Sequence, residues 1–204
     1  MSQPFDRSAH CPPPGTPDSS LGEFWEENPW QIAFRHNLSG FERNRTYLNA
    51  GGGFVDISHL TQADSDGDGR AVVADDFNGD GRLDLLVRQA GGAPLRLYEN
   101  RFPQQHWLRV SLQGESLNSH GIGARIIIST RDLSMTRDVY PGNSFHSQSS
   151  SSVHFGLGSD TRVIPELTVR WPDGRNQSFQ NIECNQHISI DEATARLKVI
   201  QRGQ

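Results

Sequence analysis

The sequence predicts a mainly antiparallel β protein, and three observations carry that prediction. Short runs of β-branched and aromatic residues recur at strand spacing, turn signals fall between them, and no long segment shows the 3.6-residue period of an amphipathic helix. With 204 residues the chain can form one large domain or two small ones and bury a real core. Its 20 glycines and 34% hydrophobic content suit strands joined by tight turns.

Residues 1–22, with Cys11-Pro12-Pro13-Pro14-Gly15, read as a flexible N-terminal arm of core-poor composition. A short helix is expected near Gly22–Trp30, where Trp25 and Trp30 lie in a polar context. Tyr47-Leu48-Asn49 and Phe54-Val55-Asp56-Ile57 then read as strands joined by an Ala50-Gly51-Gly52-Gly53 hairpin turn. Ala71–Ala74 and Leu83–Val87 form a second pair of β-type runs on either side of an aspartate loop. Downstream, Trp107–Leu112 and Leu167–Trp171 alternate as half-buried strands do, and Arg125-Ile126-Ile127-Ile128-Ser129 is apolar enough for fuller burial. Val153–Phe155, Asn176–Phe179 and His187–Ile190 complete roughly six to eight strands, separated by turns such as Pro141-Gly142-Asn143, Gly156-Leu157-Gly158 and Pro172-Asp173-Gly174. Strands this short at this spacing argue for a sandwich or barrel, with Trp107 and Trp171 in its core. The expected division is 1–22, 23–104 and 105–204.

The chemistry concentrates in Asp76-Phe77-Asn78-Gly79-Asp80-Gly81-Arg82-Leu83-Asp84. Asp76, Asn78, Asp80 and Asp84 occupy positions 1, 3, 5 and 9, Gly81 supplies a sharp turn at position 6, and the Arg82 carbonyl falls at position 7. Calcium takes about six to eight oxygen ligands, and alternate positions of a tight loop can converge on such a cation. Position 12 is Val87, where a helix–loop–helix calcium hand needs a bidentate glutamate, and the flanks are β-like, so the ion is expected in a hairpin turn. From Asp56 to Asp84 eight aspartates and two arginines give −6, against −5 for the whole chain, and a bound divalent cation would relieve that crowding. The simpler alternative is an acidic, solvated turn. Upstream, Asp64, Asp66 and Asp68 repeat the first three acidic positions, but Val72 stands at the ninth, which leaves a weaker second ion site or a repeat remnant.

These residues together resemble the ASPIC/UnbV domain preceded by a VCBS/FG-GAP-type repeat, the arrangement of cartilage acidic protein-like proteins. The repeat resemblance runs from Asp66-Gly67-Asp68-Gly69-Arg70 through the aspartate loop to Leu97-Tyr98-Glu99-Asn100. The domain resemblance rests on His106-Trp107-Leu108, Gly121-Ile122-Gly123-Ala124-Arg125, Ser144-Phe145-His146-Ser147-Gln148-Ser149, His154-Phe155-Gly156-Leu157-Gly158 and Trp171-Pro172-Asp173-Gly174. It implies a calcium-binding β-hairpin of the propeller-blade kind, with room for a partial blade only, joined to an antiparallel β-sandwich-like ASPIC/UnbV module. It also implies an extracytoplasmic location and adhesion or matrix contacts, and it transfers no catalytic residue.

The remaining features narrow the function classes. The start, Met1–Asp6, lacks the basic and apolar regions of a signal peptide, so location rests on the resemblance. No apolar run approaches the roughly 18 residues of a membrane span. Net acidity without a basic stripe argues against a nucleic-acid partner. Cys11 and Cys184, near opposite ends, are expected as free thiols. None of the eight histidines has helical zinc spacing, although His146 and His154 flank the serine run Ser147–Ser152 and could meet across a hairpin. No G-x-S-x-G elbow is present, and adjacent strand residues such as His146 and Ser147 point to opposite faces. Gly121-Ile122-Gly123-Ala124 precedes a strand, so it reads as a turn and not a phosphate cradle. The expected function is a non-catalytic module with a structural calcium that binds a protein or carbohydrate ligand. The competing expectation is an enzyme or accessory factor of a biosynthetic pathway, marked by His106, His146, His154 or Arg125 gathered in a deep cleft.

Overall fold

The computed structural model describes residues 43–203 except 66, 91–94, 116, 131–133, 141 and 143–146. The arm at 1–22, the helix expected near Gly22–Trp30, and Cys11 lie outside the described residues. The strands are β1 (Tyr47–Asn49), β2 (Phe54–Asp56), β3 (Asp68–Asp75), β4 (Asp84–Ala90), β5 (Leu95–Tyr98), β6 (His106–Gln113), β7 (Arg125–Ser129), β8 (Ser134–Asp138), β9 (Val153–Gly158), β10 (Val163–Arg170), β11 (Asn176–Glu183), β12 (Gln186–Asp191) and β13 (Arg196–Arg202). Among the described residues one short helix, α1 (Ser58–Thr61), follows β2. The mainly β class read from the sequence is what the chain adopts. The sheets are open, ordered β1-β2, β3-β4-β5, β11-β10-β7-β8 and β13-β12-β6-β9.

The chain divides into two compact units, and the division falls within β3, β4 and β5. The first takes the described part of Met1–Arg70 together with Val87–Arg96. In it β1 and β2 pair antiparallel, Tyr47 opposite Asp56, across a turn closed by Ala50 N donating to Gly53 O at 2.9 Å. Gly51 sits in that turn at φ +82°, which explains the glycine run. Asp56 then accepts the Ser58 amide at 2.9 Å and starts α1.

The second unit, Ala71–Leu86 with Leu97–Gln204, holds the aspartate loop and both four-stranded sheets. Strict alternation builds one shared core between those sheets. Leu108, Val110 and Leu112 of β6, Phe155 and Leu157 of β9, and Ile188 and Ile190 of β12 come from one sheet. Ile126 and Ile128 of β7, Leu167 and Val169 of β10, and Trp171 meet them from the other.

Two details differ from the antiparallel expectation or from the expected strand list. β6 and β12 pair parallel, Leu108 opposite Gln186. β11 belongs to the other sheet, so the chain changes sheets before β12, and no hairpin dictates β12's direction. β5, β8 and β13 were not expected, and all three are edge strands. None alternates cleanly: β8 is Ser-Met-Thr-Arg-Asp, and β13 is exposed along most of its length. Edge strands need to bury little, so binary patterning hardly marks them.

Cys184 is a free thiol whose Sγ donates to the Thr161 carbonyl at 3.1 Å, and burial pushes its pKa up to about 11. The thiol is therefore protonated at neutral pH.

Ile188 and Val199 lie opposite each other on β12 and β13, yet Ile188 is fully buried and Val199 is 36% exposed. Ile188→Ala is expected to cost about 2–5 kcal/mol in urea-induced unfolding. Val199→Ala is expected to cost far less, nearer the ±0.5 kcal/mol or so of surface changes.

Candidate functional site: the aspartate loop and its seat

The loop between β3 and β4 is built from side chains that bind its own backbone. Asp76 Oδ1 accepts the amides of Gly79 at 2.7 Å and Asp80 at 3.0 Å, and its Oδ2 accepts that of Gly81 at 2.8 Å. Asp84 is only 2% exposed, and its two oxygens accept the amides of Phe77 at 3.2 Å and Asn100 at 2.7 Å. A buried carboxylate without such donors would cost several kcal/mol. Asn78 Oδ1 accepts the Asp80 amide at 3.0 Å. Gly79 and Gly81 adopt φ +78° and +85°, the left-handed region that reverses the chain twice in three residues.

Asp80 faces Arg82. Its Oδ1 accepts the Arg82 amide at 2.8 Å, while its Oδ2 takes the guanidinium at 2.5 and 3.1 Å and the Asn78 side-chain amide at 2.9 Å. The Arg82 guanidinium holds the Asp80 carboxyl below the usual carboxylate range. Arg82 is fixed in turn by donating to Phe102 O at 2.9 Å.

The structure therefore places Asp76, Asn78, Asp80, Arg82 and Asp84 in one loop but aims them differently. Asp76 and Asp84 serve backbone amides, and Asp80 serves an arginine. Among the described residues no three His, Cys, Asp or Glu side chains gather as a metal cluster. The donor chemistry, all carboxylate, amide and carbonyl oxygen, still suits a hard cation. Upstream, Asp64 is held by Arg43 at 2.9 Å and by His59 Nδ1 at 2.8 Å, while Asp66 and the Asp68 side chain lie outside the described residues.

The loop rests on the outer face of β6 and β9. Gly81 is buried against the Trp107 indole, where a methyl group would overlap the ring. Its carbonyl accepts from His154 Nε2 at 2.9 Å, and the His154 ring stacks on Trp107 with centroids 6.0 Å apart and planes 13° apart. Beside them Arg109 bridges Asp75 at 2.8 Å and donates to Ser152 Oγ at 2.6 Å. Ser147 Oγ donates to Val72 O at 2.7 Å. Trp107 is buried, as expected, but outside the core cluster. The signal was present: Leu108, Val110 and Leu112 point inward, so Trp107, Arg109 and Ser111 face out.

Catalytic chemistry finds less on this face. His187 Nε2 and Ser111 Oγ lie 2.8 Å apart, the nearest approach to a base and nucleophile among the described residues. His154 and Arg125 line different cavities, His106 lines neither and pairs with Asn185, and His146 lies outside the described residues.

Comparison with known proteins gives two family matches along the chain. Residues 69–96 match the FG-GAP repeat family, and residues 114–197 match the ASPIC and UnbV family. The aspartate loop lies inside the first match, and β7 to β12 lie inside the second. β6 precedes that match although it pairs with β12 and β9 within the same sheet. Cartilage acidic protein 1 of Xenopus tropicalis is 29% identical over 153 residues, which cover 70% of this chain and 23% of that protein. The Homo sapiens protein of the same name is 29% identical over 143 residues, covering 67% and 21%. The chain thus spans about a fifth of the length of the curated relatives it matches.

Three outcomes test the seat of the aspartate loop on the sheet. Gly81→Ala combines left-handed strain with overlap on Trp107 and is expected to cost about 2–4 kcal/mol in chemical denaturation. Gly79→Ala meets only the end of the Gln201 side chain at 3.7 Å and is expected to cost about 1 kcal/mol. Burial lowers the pKa values of His154 and His187 from 6.5; for His154 the hydrogen bond to the Gly81 carbonyl opposes this, and for both Arg109 adds to the effect while Asp75 opposes it. The unfolded chain then takes up these protons first, so stability present above pH 6.5 falls as pH drops from there toward the folded values. His187→Asn is expected to flatten the decline in unfolding free energy measured between about pH 7 and 5.

Proposed function

We propose that this protein is a non-catalytic interaction module whose FG-GAP loop binds a structural calcium ion through Asp76, Asn78, Asp80, Asp84 and the Arg82 carbonyl. The observation that carries the proposal is the oxygen-only donor set of a β-hairpin loop seated on the sheet through Gly81, Trp107 and His154. The FG-GAP match over this loop supports it. Binding requires Asp80 to exchange the Arg82 guanidinium for the ion, because one carboxylate oxygen serves both poorly. That exchange suits a weak site in the range of extracellular modules, with Kd of roughly 10⁻⁴ to 10⁻³ M. It accords with an extracytoplasmic location. The Asp64, Asp66 and Asp68 stretch is a second candidate for the same ion. The ligand of the module is a protein or a carbohydrate.

The test is thermal melting of metal-stripped protein with calcium or chelator. Calcium is expected to raise Tm, and Asp80→Ala to abolish the rise. Arg82→Gln keeps the carbonyl and removes the competing guanidinium, so calcium should act at lower concentration. An unchanged Tm on calcium addition, in wild type and Arg82→Gln alike, sinks the structural-ion reading.

A further inference from the structure

Strand β13 is an edge of its sheet, and among the described residues it is hydrogen-bonded to β12 alone. From Arg196 to Val199 the ladder runs in unbroken register, Arg196 opposite Asp191 and Val199 opposite Ile188, before Ile200 is passed over as a bulge. Alternate backbone N–H and C=O groups of that stretch point away from β12, which makes it a template for one more strand. Its side chains alternate as well. Leu197 and Val199 lie on the core face, opposite Ile190 and Ile188, and Val199 is still 36% exposed. Arg196 and Lys198 lie on the other face, opposite Asp191 and Ser189. The core therefore stops short at this edge, and a cationic row runs along the same four residues.

Those charges decide what can pair there. Lys198 is the one lysine of the chain, and it stands exposed in mid-strand. A second copy of β13 is a poor partner, because directly opposite residues share a face of the sheet. An antiparallel copy centred on Leu197 sets Arg196 against Lys198, and one centred on Lys198 sets that lysine against itself. The same row attracts a strand of opposite sign, so one device rejects self-pairing and admits an acidic partner. β11, an edge of the other sheet, offers no such row. It carries no cation, and Asn181 interrupts it at φ +54°.

We infer that β13 accepts an extended acidic segment of a partner protein as an added strand. Acidic side chains at alternate positions of that segment face Arg196 and Lys198, and apolar ones between them lie beside Leu197 and Val199 and extend the core. Main-chain hydrogen bonds supply the affinity, and the alternation of acid and apolar supplies the sequence preference. The inference deepens the interaction-module reading, on which it rests, by choosing a protein ligand and assigning its surface.

The experiment is calorimetric titration of the full chain, with calcium present, against synthetic peptides of alternating Glu and Val, of alternating Lys and Val, and of Glu and Val with methylated backbone nitrogens. The first is expected to bind about tenfold more tightly than either of the others. Lys198→Glu is expected to weaken it about tenfold and to let the Lys and Val peptide bind in its place, with Tm unchanged within a few degrees. Equal binding of the methylated peptide reduces the contact to surface charge and overturns strand addition. Binding indifferent to Lys198→Glu overturns the assignment to β13 while leaving a binding module. A dimer of the full chain in sedimentation that the peptide dissociates makes the occupant a second copy and overturns the inference. No binding of any peptide overturns it too, while the calcium response of Tm reports on the aspartate loop separately.

Discussion

Strand β6 must satisfy two different partners at once. On its inner face Leu108, Val110 and Leu112 join the core that both sheets share. On its outer face Trp107, Arg109 and Ser111 meet Gly81, Asp75 and His187. Because side chains alternate strictly along a strand, a one-residue slip would send the apolar set out and Trp107 and Arg109 in. Strand β12 on one side and β9 on the other hold β6 in that register. The seating of the aspartate loop therefore depends on the same constraint that builds the sandwich core.

The loop itself is an exercise in keeping negative charge close together. Asp76 and Asp84 are stabilised by five backbone amides, and Asp80 by the guanidinium of Arg82. Left-handed glycines at 79 and 81 let those amides turn inward. Gly81 does this against an indole, so no side chain could replace its hydrogen there without moving Trp107. Under the proposed function, calcium competes with an internal cation for Asp80. Its binding then alters the local charge balance without having to create the hairpin.

Edges and ends behave differently from the core. The β8 and β9 edges leave a seam where cationic side chains face solvent, and the β10 and β7 ends place two arginines opposite each other. A core strand cannot tolerate such groups, because burying an unpaired guanidinium costs more than its packing returns. A sandwich therefore concentrates unpaired charge at its rim, where a ligand can reach it.

Much of this was legible in the sequence. The alternation of β6 and β10, the isoleucines of β7 and the glycine hairpin between β1 and β2 all declare strands because burial imposes a period of two. The spacing of Asp76, Asn78, Asp80 and Asp84 declares a tight acidic loop, because turn geometry is local, while the fold aims Asp76 and Asp84 at backbone amides and Asp80 at Arg82. Tertiary structure alone decided the rest. It made β12 parallel to β6, since a strand that changes sheets takes its direction from its new neighbours. It recruited the weakly patterned β5, β8 and β13 as edges, where little needs burying. It brought Gly81 to Trp107 and His154 through contacts between residues tens of positions apart that local pattern does not encode.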